Sequence, residues 1–284
     1  MVLGRRYKFG LIAVKAGDNA FADMLKQVYG YHECDISSAD FVISVSCQEA
    51  ALWRFAGVSQ RRVEGDLPKA IGVFDDIVDQ LIKDNVCNDD VLVHASTCIR
   101  GGKALSFIGL SGVGKTTIAF MLAKHFGFQE LGDEYALLNC ETCTISHEFH
   151  PLQIKRGSPL FSGCQNGAES FYLESAQGVL CAIASPFDFG LDFSGVSYPL
   201  DALIFPLFQQ GDRAPALNLI SIGELPELLM PSVQRTGPGS DLFKRIIFTL
   251  AEHGVRMYSL SYGNPFQACE LVASIVCEKE LSNG

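Results

Sequence analysis

A glycine-rich segment near the middle of the chain constrains the fold more than any other feature. Residues 109–116 read Gly-Leu-Ser-Gly-Val-Gly-Lys-Thr, which has the spacing G-x-x-x-x-G-K-[ST]. Glycines at these positions let the backbone turn so that successive N–H groups point inward and form a concavity for phosphate oxygens. The lysine can reach the β- and γ-phosphates, and the hydroxyl after it can bind Mg²⁺. The segment predicts a nucleoside triphosphate site between a strand and a helix.

The flanking sequence supports this interpretation. An apolar strand pattern at residues 104–108 precedes the segment, and an amphipathic helix pattern at residues 116–126 follows it, so that the positive end of the helix would face the phosphates. The alternative is an ordinary glycine-rich turn between a strand and a helix. The residues predicted to contact the nucleotide are Gly109, Ser111, Gly112, Val113, Gly114, Lys115, Thr116 and Thr117.

Strand and helix patterns alternate along the chain and predict an α/β fold with two regions. Residues 1–88 are predicted to form a small α/β region that could bind an acceptor or partner, and residues 89–284 a P-loop domain. Further strands are predicted at residues 7–14, 40–45, 91–99, 103–109, 129–138, 142–149, 178–184, 201–208, 216–221 and 255–261, and further helices at residues 20–29, 67–85, 223–230, 240–253 and 265–279.

The composition argues against two classes of partner. The 284 residues carry a formal net charge of −10, which disfavours nucleic acid and anionic membrane surfaces. The longest uncharged stretches, residues 175–187 and 257–269, are shorter than the about 20 apolar residues that a membrane-spanning helix needs. The ten cysteines are scattered along a long chain, which indicates reduced, mostly buried thiols. We therefore expect a cytoplasmic protein.

Two neighbouring acids follow the predicted helix, in the sequence Leu131-Gly132-Asp133-Glu134. Transfer of a phosphoryl group to a hydroxyl benefits from one carboxylate that accepts the proton, and a second acid can hold Mg²⁺. Adjacent residues of a strand point to opposite faces, so one acid could face the nucleotide while the other serves elsewhere, or a kink could bring both in. The alternative is a solvated turn.

His94 stands in the apolar strand pattern Val-Leu-Val-His-Ala. A single histidine among apolar residues is more often a hydrogen-bonded core residue than a functional one. Its spacing alone leaves both interpretations open.

The order of these features resembles the kinase domain of HPr kinase/phosphorylase and its HPr-kinase-like relatives. That family has a strand with a histidine, a hairpin, a second strand, the phosphate loop, a helix and a pair of acids. The resemblance covers about residues 90–280 and is strongest over residues 91–138. It implies a P-loop kinase core of the type shared with ATP-dependent phosphoenolpyruvate carboxykinases.

The resemblance also implies roles for individual residues. Asp133 matches the acid that acts as base toward the acceptor hydroxyl, Glu134 matches the second acid near metal and phosphate, and His94 matches the histidine beside the loop. Arg235, in residues 231–240, matches an arginine in a basic loop that assists phosphoryl transfer, with a solvated loop arginine as the alternative. The implied cofactors are ATP, with GTP as an option, and Mg²⁺. The implied acceptor is a hydroxyl of a peptide, protein or small metabolite, and the hexameric HPr kinases suggest a homo-oligomer.

The sequence departs from the family in two places. The glutamate motif that follows the acid pair in true HPr kinases is not recognisable, although Glu169 and Glu174 lie in that region. Residues 1–85 do not resemble the regulatory N-terminal domain. Both departures weigh against HPr as the acceptor. The alternative function is a nucleotide-binding regulator or adaptor with little turnover.

Two weaker patterns have alternatives as well. Cys140 and Cys143 have the spacing of half a zinc site, with His147 and His150 nearby, but a hairpin turn explains them too. The serines and glycines of residues 157–167 indicate either a lid over the site or an ordinary connector.

Overall fold

The computed structural model describes residues 1–48, 51–87, 89–155, 158, 171–174, 180–185, 196–211, 213–236 and 241–282. The fold is mixed α/β, which confirms the predicted class. The chain divides into two compact units, one formed by Met1–Asn85 with Pro151–Asp188, the other by Val86–His150 with Phe189–Gly284. The described part contains no helix that is long and apolar enough to cross a membrane.

The strands, in chain order, are β1 (Val2–Tyr7), β2 (Gly10–Ala16), β3 (His32–Glu33), β4 (Phe41–Gln48), β5 (Leu52–Gly57), β6 (Arg61–Glu64), β7 (Asp90–Arg100), β8 (Lys103–Ile108), β9 (Gln129–Gly132), β10 (Tyr135–Asn139), β11 (Thr144–His147), β12 (Leu152–Lys155), β13 (Phe171–Glu174), β14 (Leu180–Ala184), β15 (Tyr198–Phe208), β16 (Ala216–Leu219), β17 (Val233–Thr236) and β18 (Arg256–Tyr262). The helices are α1 (Asn19–Gln27), α2 (Leu67–Asp84), α3 (Lys115–His125), α4 (Leu225–Leu229), α5 (Leu242–Glu252) and α6 (Pro265–Ser282).

The first unit is built on a sheet with the strand order β3-β1-β2-β4-β5-β6. Aromatic residues join this sheet to its helices, because the ring of Phe21 in α1 lies 5.5 Å from that of Phe74 in α2 and 5.8 Å from that of Trp53 in β5. Helix α2 begins after Asp66, whose carboxylate accepts a hydrogen bond from the N–H of Lys69. A smaller sheet with the order β12-β14-β13 belongs to the same unit.

The second unit contains a sheet whose main order is β11-β10-β7-β8-β15-β18-β16, with β9 and β17 both paired to β7. Strands β8, β15 and β18 are parallel to one another, and β7 is antiparallel to β8. Side chains alternate between the two faces of a strand. One face packs against α3 and α6, and the other packs against α4 and α5. The carboxyl ends of the three parallel strands therefore meet at one edge of the sheet, where α3 begins.

Strands β5, β6, β12 and β13 were not predicted, and three further segments differ from the prediction for physical reasons. Residues 7–14 are not one strand but the hairpin between β1 and β2, which turns before Gly10. Residues 129–138 are interrupted at Asp133 and Glu134, so that β9 and β10 are separate strands. Residues 233–236, predicted as loop, form β17. On one edge of β7, β8 pairs only from Ala95 onward, so the first half of that edge is open and pairs with β17.

Candidate functional site

The glycine-rich segment connects the end of β8 to the start of α3, as predicted. Gly109, Gly112 and Gly114 have φ angles of 154°, 91° and 98°, which L-residues with a side chain rarely adopt. Gly114 is the N-cap of α3 and has no side chain with which to cap the helix. The loop thus brings the N-terminal end of α3 to the edge of the sheet, in the arrangement that binds phosphate in other proteins.

Tyr262, the last residue of β18, supports the loop from beneath. Its buried hydroxyl donates a hydrogen bond to the carbonyl oxygen of Val113, at 3.1 Å. A Cβ on Gly114 would lie only 1.8 Å from that hydroxyl oxygen. Burial, with a smaller contribution from Cys269, raises the pKa of the phenol, so that it remains a donor. This role could not be predicted from the sequence, because 149 positions separate Tyr262 from Val113 along the chain.

Lys115 is almost fully buried, with 4% of its surface exposed, although lysine is normally a surface residue. Its ammonium group donates a hydrogen bond to the carbonyl oxygen of Leu110, at 3.1 Å, and so lies over the loop. Ser111 and Gly112 are exposed at the tip of the loop, while Thr117 is half-buried in the first turn of α3. The residues predicted to hold phosphate thus range from exposed at the tip of the loop to buried at Lys115.

Asp133 lies directly beside the first turn of α3. Its carboxylate accepts a hydrogen bond from the Thr116 hydroxyl, at 2.9 Å to Oδ2 and 3.1 Å to Oδ1, and a short one from the Ser96 hydroxyl. Only 1% of Asp133 is exposed. Burial raises the pKa of this carboxyl, and the charge of Glu134 raises it further, while Ser96, Lys115 and Thr116 oppose the shift without reversing it.

Glu134 is held by the predicted histidine. His94 Nε2 lies 2.8 Å from Glu134 Oε2, and the two side chains are 17% and 25% exposed. Burial by itself would raise the pKa of Glu134, but the hydrogen bond and charge of His94, with the charges of His150 and Lys115, lower it to about 2. The pKa of Asp133 is thus raised, whereas the pKa of its neighbour Glu134 is lowered.

A tight turn brings both acids into the site. Glu134 has a φ of 66°, and the N–H of Tyr135 donates to the carbonyl oxygen of Asp133 at 2.9 Å, which closes a three-residue turn. Positive φ in a residue with a side chain is strained, and such strain is concentrated at functional sites. Of the two arrangements that the sequence left open, the structure therefore has the kink, with Asp133 at Thr116 and Glu134 at His94.

Ser96 is the residue of this site that the sequence analysis missed. It is fully buried in β7, two positions after His94, and both side chains point to the face of the strand that carries α3. The available signal was a pair of polar residues, His94 and Ser96, at positions i and i+2 of a largely apolar strand. A buried hydroxyl there has to find a partner, and Asp133 supplies it.

Arg235 lies in β17, with its Cα paired to that of Leu92 in β7. Its backbone position is therefore close to His94 along β7. Of the predicted lid, Ser158 is described, and its N–H donates to the carbonyl oxygen of Lys155 at 2.8 Å. The remaining residues, which include Gly157, Ser162, Gly163 and Gly167, lie outside the described residues, as does Glu169. Glu174 lies in β13 of the first unit.

The cysteine pair stands at a hairpin turn, which is the alternative that the sequence left open. Asn139 Oδ1 accepts hydrogen bonds from the N–H groups of Glu141 and Thr142, which closes the turn between β10 and β11. Burial raises the pKa of both the Cys140 and Cys143 thiols to about 11, so they remain protonated. Among the residues that the structure describes, no further histidine, cysteine or acid completes a metal-binding cluster around them.

The opposite shifts of the two acids lead to a test by pH. A carboxyl with a depressed pKa stabilises the folded protein above its unfolded pKa, and this contribution is lost as the pH falls through the folded value. For Glu134 that window runs from 4.5 down to about 2. We expect the wild type to unfold at higher denaturant concentration than Glu134→Gln above pH 4.5, and the difference to disappear toward pH 2. Denaturant titrations at several pH values measure it. In a His94→Gln background, the effect of Glu134→Gln on the denaturant midpoint should be smaller. An effect of Glu134→Gln that did not change with pH would contradict the lowered pKa of Glu134.

Comparisons with known proteins add no assignment, because neither a protein-family model nor a curated protein matches this chain. The argument for function therefore depends on the geometry. The glycine-rich loop, a hydroxyl at the start of its helix, the buried Asp133 and the partly exposed Glu134 form one cluster, held by β7, β8, α3 and the turn between β9 and β10. Such a cluster can bind a triphosphate with a divalent cation and accept a proton beside it.

Proposed function

We propose that this protein is an ATP-dependent kinase, which transfers the γ-phosphate of ATP to a serine-like hydroxyl of a peptide, protein or small molecule. One observation carries the proposal: the carboxylate of Asp133 accepts a hydrogen bond from the Thr116 hydroxyl, while its neighbour Glu134 lies 2.8 Å from His94. The pKa values of the two acids are shifted in opposite directions accordingly. Environments that separate the pKa values of two neighbouring acids assign them different tasks. A site that only bound nucleotide would have no need of the acid with the raised pKa.

The loop and Lys115 would hold the triphosphate. The inward-facing amides bind phosphate oxygens, and the lysine neutralises charge on the β- and γ-phosphates. Lys115 would exchange the carbonyl oxygen of Leu110 for a phosphate oxygen, which lies within reach of a small rotation of its side chain. GTP remains a second option, since these residues do not contact the base.

Oxygen donors of this cluster fit Mg²⁺, which prefers hydroxyl and carboxylate ligands. Thr116 supplies a hydroxyl, and Glu134 supplies a carboxylate that stays ionised because its pKa is held near 2. When bound, the ion would neutralise charge on the β- and γ-phosphates. His94 orients Glu134 through their 2.8 Å contact and is a positioning residue in this proposal.

Asp133 would accept the proton of the acceptor hydroxyl. Its raised pKa makes it a better base than an ordinary aspartate, and in the structure its carboxylate already accepts hydrogen bonds from two alcohol groups, those of Ser96 and Thr116. The acceptor oxygen forms a bond to the γ-phosphorus, the bond from that phosphorus to the ADP oxygen breaks, and the proton passes to Asp133. Arg235 is the candidate to offset negative charge in the transition state, from its place in β17 next to β7.

Phosphate-transfer profiling tests the function directly. The full chain, γ-labelled ATP and Mg²⁺ would be combined with three classes of acceptor: proteins of a bacterial or cell extract, synthetic serine peptides, and free serine-like metabolites. We expect label on a hydroxyl of one class, and no label with Lys115→Ala. Tight nucleotide binding without transfer to any class would instead support the alternative of a nucleotide-dependent regulator. A cytoplasmic location, where ATP and Mg²⁺ are available, and a homo-oligomer remain part of the proposal.

A further inference from the structure

An exposed aromatic residue stands at the same edge of the sheet as the phosphate loop. Phe208 is the last residue of β15, and 45% of it is exposed. Its Cα is paired with that of Tyr262 in β18, and the two rings make an edge contact with centroids 5.6 Å apart. Tyr262 in turn donates to the carbonyl of Val113 in the loop. One buried ring therefore separates Phe208 from the phosphate loop.

The alternation of side chains shows which face of the sheet Phe208 occupies. Ala202 and Ile204 pack into the core beneath α3, whereas Leu203 and Phe205 pack into the core on the other face. Phe208 is an even position of the same strand and contacts Tyr262, which also belongs to the core beneath α3. Its ring is thus on the face from which the loop and α3 rise.

The strand extends beyond the start of the loop. Ile204 of β15 is paired with Phe107 of β8, and β8 ends one residue later. The last residues of β15, through Phe208, therefore run past the end of β8 and along the side of the loop. This is the edge at which parallel α/β sheets bind their ligands.

The two sides of the loop are chemically different. On the side of β7 lie Asp133, Glu134 and His94, which would receive the γ-phosphate, the metal ion and the acceptor. A triphosphate whose γ-end lies there has to extend its nucleoside away from β7. The strands on the other side of β8 are β15 and β18, whose ends carry Phe208 and Tyr262.

We propose that Phe208 is the residue against which the base of the nucleotide stacks. This inference rests on the proposed function. An aromatic ring offers a nucleobase a flat apolar surface, and stacking depends little on which base is present. Stacking reads no hydrogen-bond pattern, so the site would accept ATP and GTP with similar affinity. Half-exposure of a large ring beside a phosphate site is what a stacking surface requires before the base arrives.

Calorimetric titration separates the base from the phosphates. The full chain would be titrated with ATP, GTP and inorganic tripolyphosphate, each with Mg²⁺. We expect Phe208→Ala to lower the affinity for ATP and GTP by about tenfold or more, because a single stacking contact contributes in this range. The affinity for tripolyphosphate should stay unchanged. Phe208→Tyr should retain the affinity of the wild type, and Phe208→Leu, which keeps an apolar side chain against Tyr262, should behave like Phe208→Ala.

Phe266 provides a matched control. It is also a phenylalanine with 45% exposure, but it packs against Phe126 at the far end of α3, with ring centroids 5.3 Å apart. Phe266→Ala should leave the affinity for all three ligands unchanged. Circular dichroism and Tm of each variant establish that it is folded, and Phe208→Leu decides the question if the alanine variant unfolds.

The outcomes distinguish this inference from the proposed function. Equal ATP affinity in wild type and Phe208→Leu, with loss of binding in Lys115→Ala, would overturn the role of Phe208 and leave the nucleotide site intact. If a Phe208 variant lost affinity for ATP and for tripolyphosphate to the same extent, base stacking would also be overturned, because the substitution would then act on the loop. A wild type that binds neither ATP nor tripolyphosphate would contradict the proposed function itself.

Discussion

Asp133→Asn is expected to reduce the rate of phosphate transfer by about a thousandfold while most of the affinity for ATP remains, since a positioned general base contributes this order of magnitude. Asparagine keeps the shape of the side chain and can still accept a hydrogen bond from Thr116 or Ser96, but it cannot take up a proton. Because the carboxylate contacts the threonine and not the loop amides, binding of the triphosphate should change little. Steady-state kinetics and calorimetric titration with ATP measure the two effects separately.

Glu134→Gln is the contrasting variant. It removes the acid assigned to the metal, so it should raise the Mg²⁺ concentration needed for half-maximal rate, whereas Asp133→Asn should leave that concentration unchanged. If Asp133→Asn keeps its rate and Glu134→Gln loses it at saturating Mg²⁺, the two acids have the opposite roles. If neither variant changes the transfer rate, the kinase mechanism is wrong.

The same asparagine variant should be more stable than the wild type in the absence of nucleotide. A carboxyl whose folded pKa is raised contributes stability that is fully present below its unfolded pKa of 3.8 and is lost as the pH rises through the folded pKa. At neutral pH the wild type therefore carries the cost of a buried charge, which asparagine does not. An increase in Tm of about 2–4 °C corresponds to about 1 kcal/mol in a protein of this size. The increase should shrink below pH 4, and its absence at neutral pH would contradict the raised pKa.

Gly114→Ala is expected to weaken nucleotide binding strongly, for two separable reasons. The φ of 98° is unfavourable for alanine, and the new Cβ would lie 1.8 Å from the Tyr262 hydroxyl oxygen. Together these effects cost about 3 kcal/mol or more, which corresponds to about a hundredfold loss of ATP affinity. Titration with ATP measures the loss.

A second substitution separates the two causes. Tyr262→Phe removes the clashing oxygen, after which the nearest ring atom is Cζ at 3.2 Å, a tight distance that small shifts can relieve. Alone, Tyr262→Phe should lower ATP affinity about fivefold through loss of one hydrogen bond. Added to Gly114→Ala, it should instead raise the affinity above that of the single variant. If the double variant lost the sum of the affinities lost by the two single variants, the Tyr262 hydroxyl would not be the cause of the clash at residue 114.

Gly102→Ala is the control for backbone strain alone. Gly102 has a φ of 73° in the turn between β7 and β8, and a Cβ there would meet no atom within 4 Å. This variant should lose some stability and keep its affinity for ATP. If it lost affinity as Gly114→Ala does, the effect at Gly114 would reflect global destabilisation and not the loop.

The elements around the loop were predicted well because their signals are local. Residues 116–126 were predicted as a helix and α3 spans Lys115–His125, and the strand before the loop ends within one residue of the prediction. Apolar periodicity and glycine spacing are properties of a few neighbouring residues, and the local chain geometry follows from them. The strand predicted over residues 129–138 fails for the opposite reason. Strand-like residues stand on both sides of Asp133 and Glu134 in the sequence, while the turn between them is stabilised by His94, Ser96 and Thr116 from other elements.

The sequence by itself determined a glycine-rich loop, the strand and helix on either side of it, an α/β class and a short set of polar residues available for chemistry. Only the tertiary structure decided which of those residues meet. Asp133 reaches Ser96 across 37 positions, because β9 and β10 on either side of it both pair with β7. Tyr262 reaches Val113 across 149 positions, because β15 pairs with both β8 and β18, which are far apart in the chain. Strand order depends on packing summed over the whole domain, and no single segment encodes it. The pairing of Asp133 with Thr116 and of Glu134 with His94 is therefore a property of the fold.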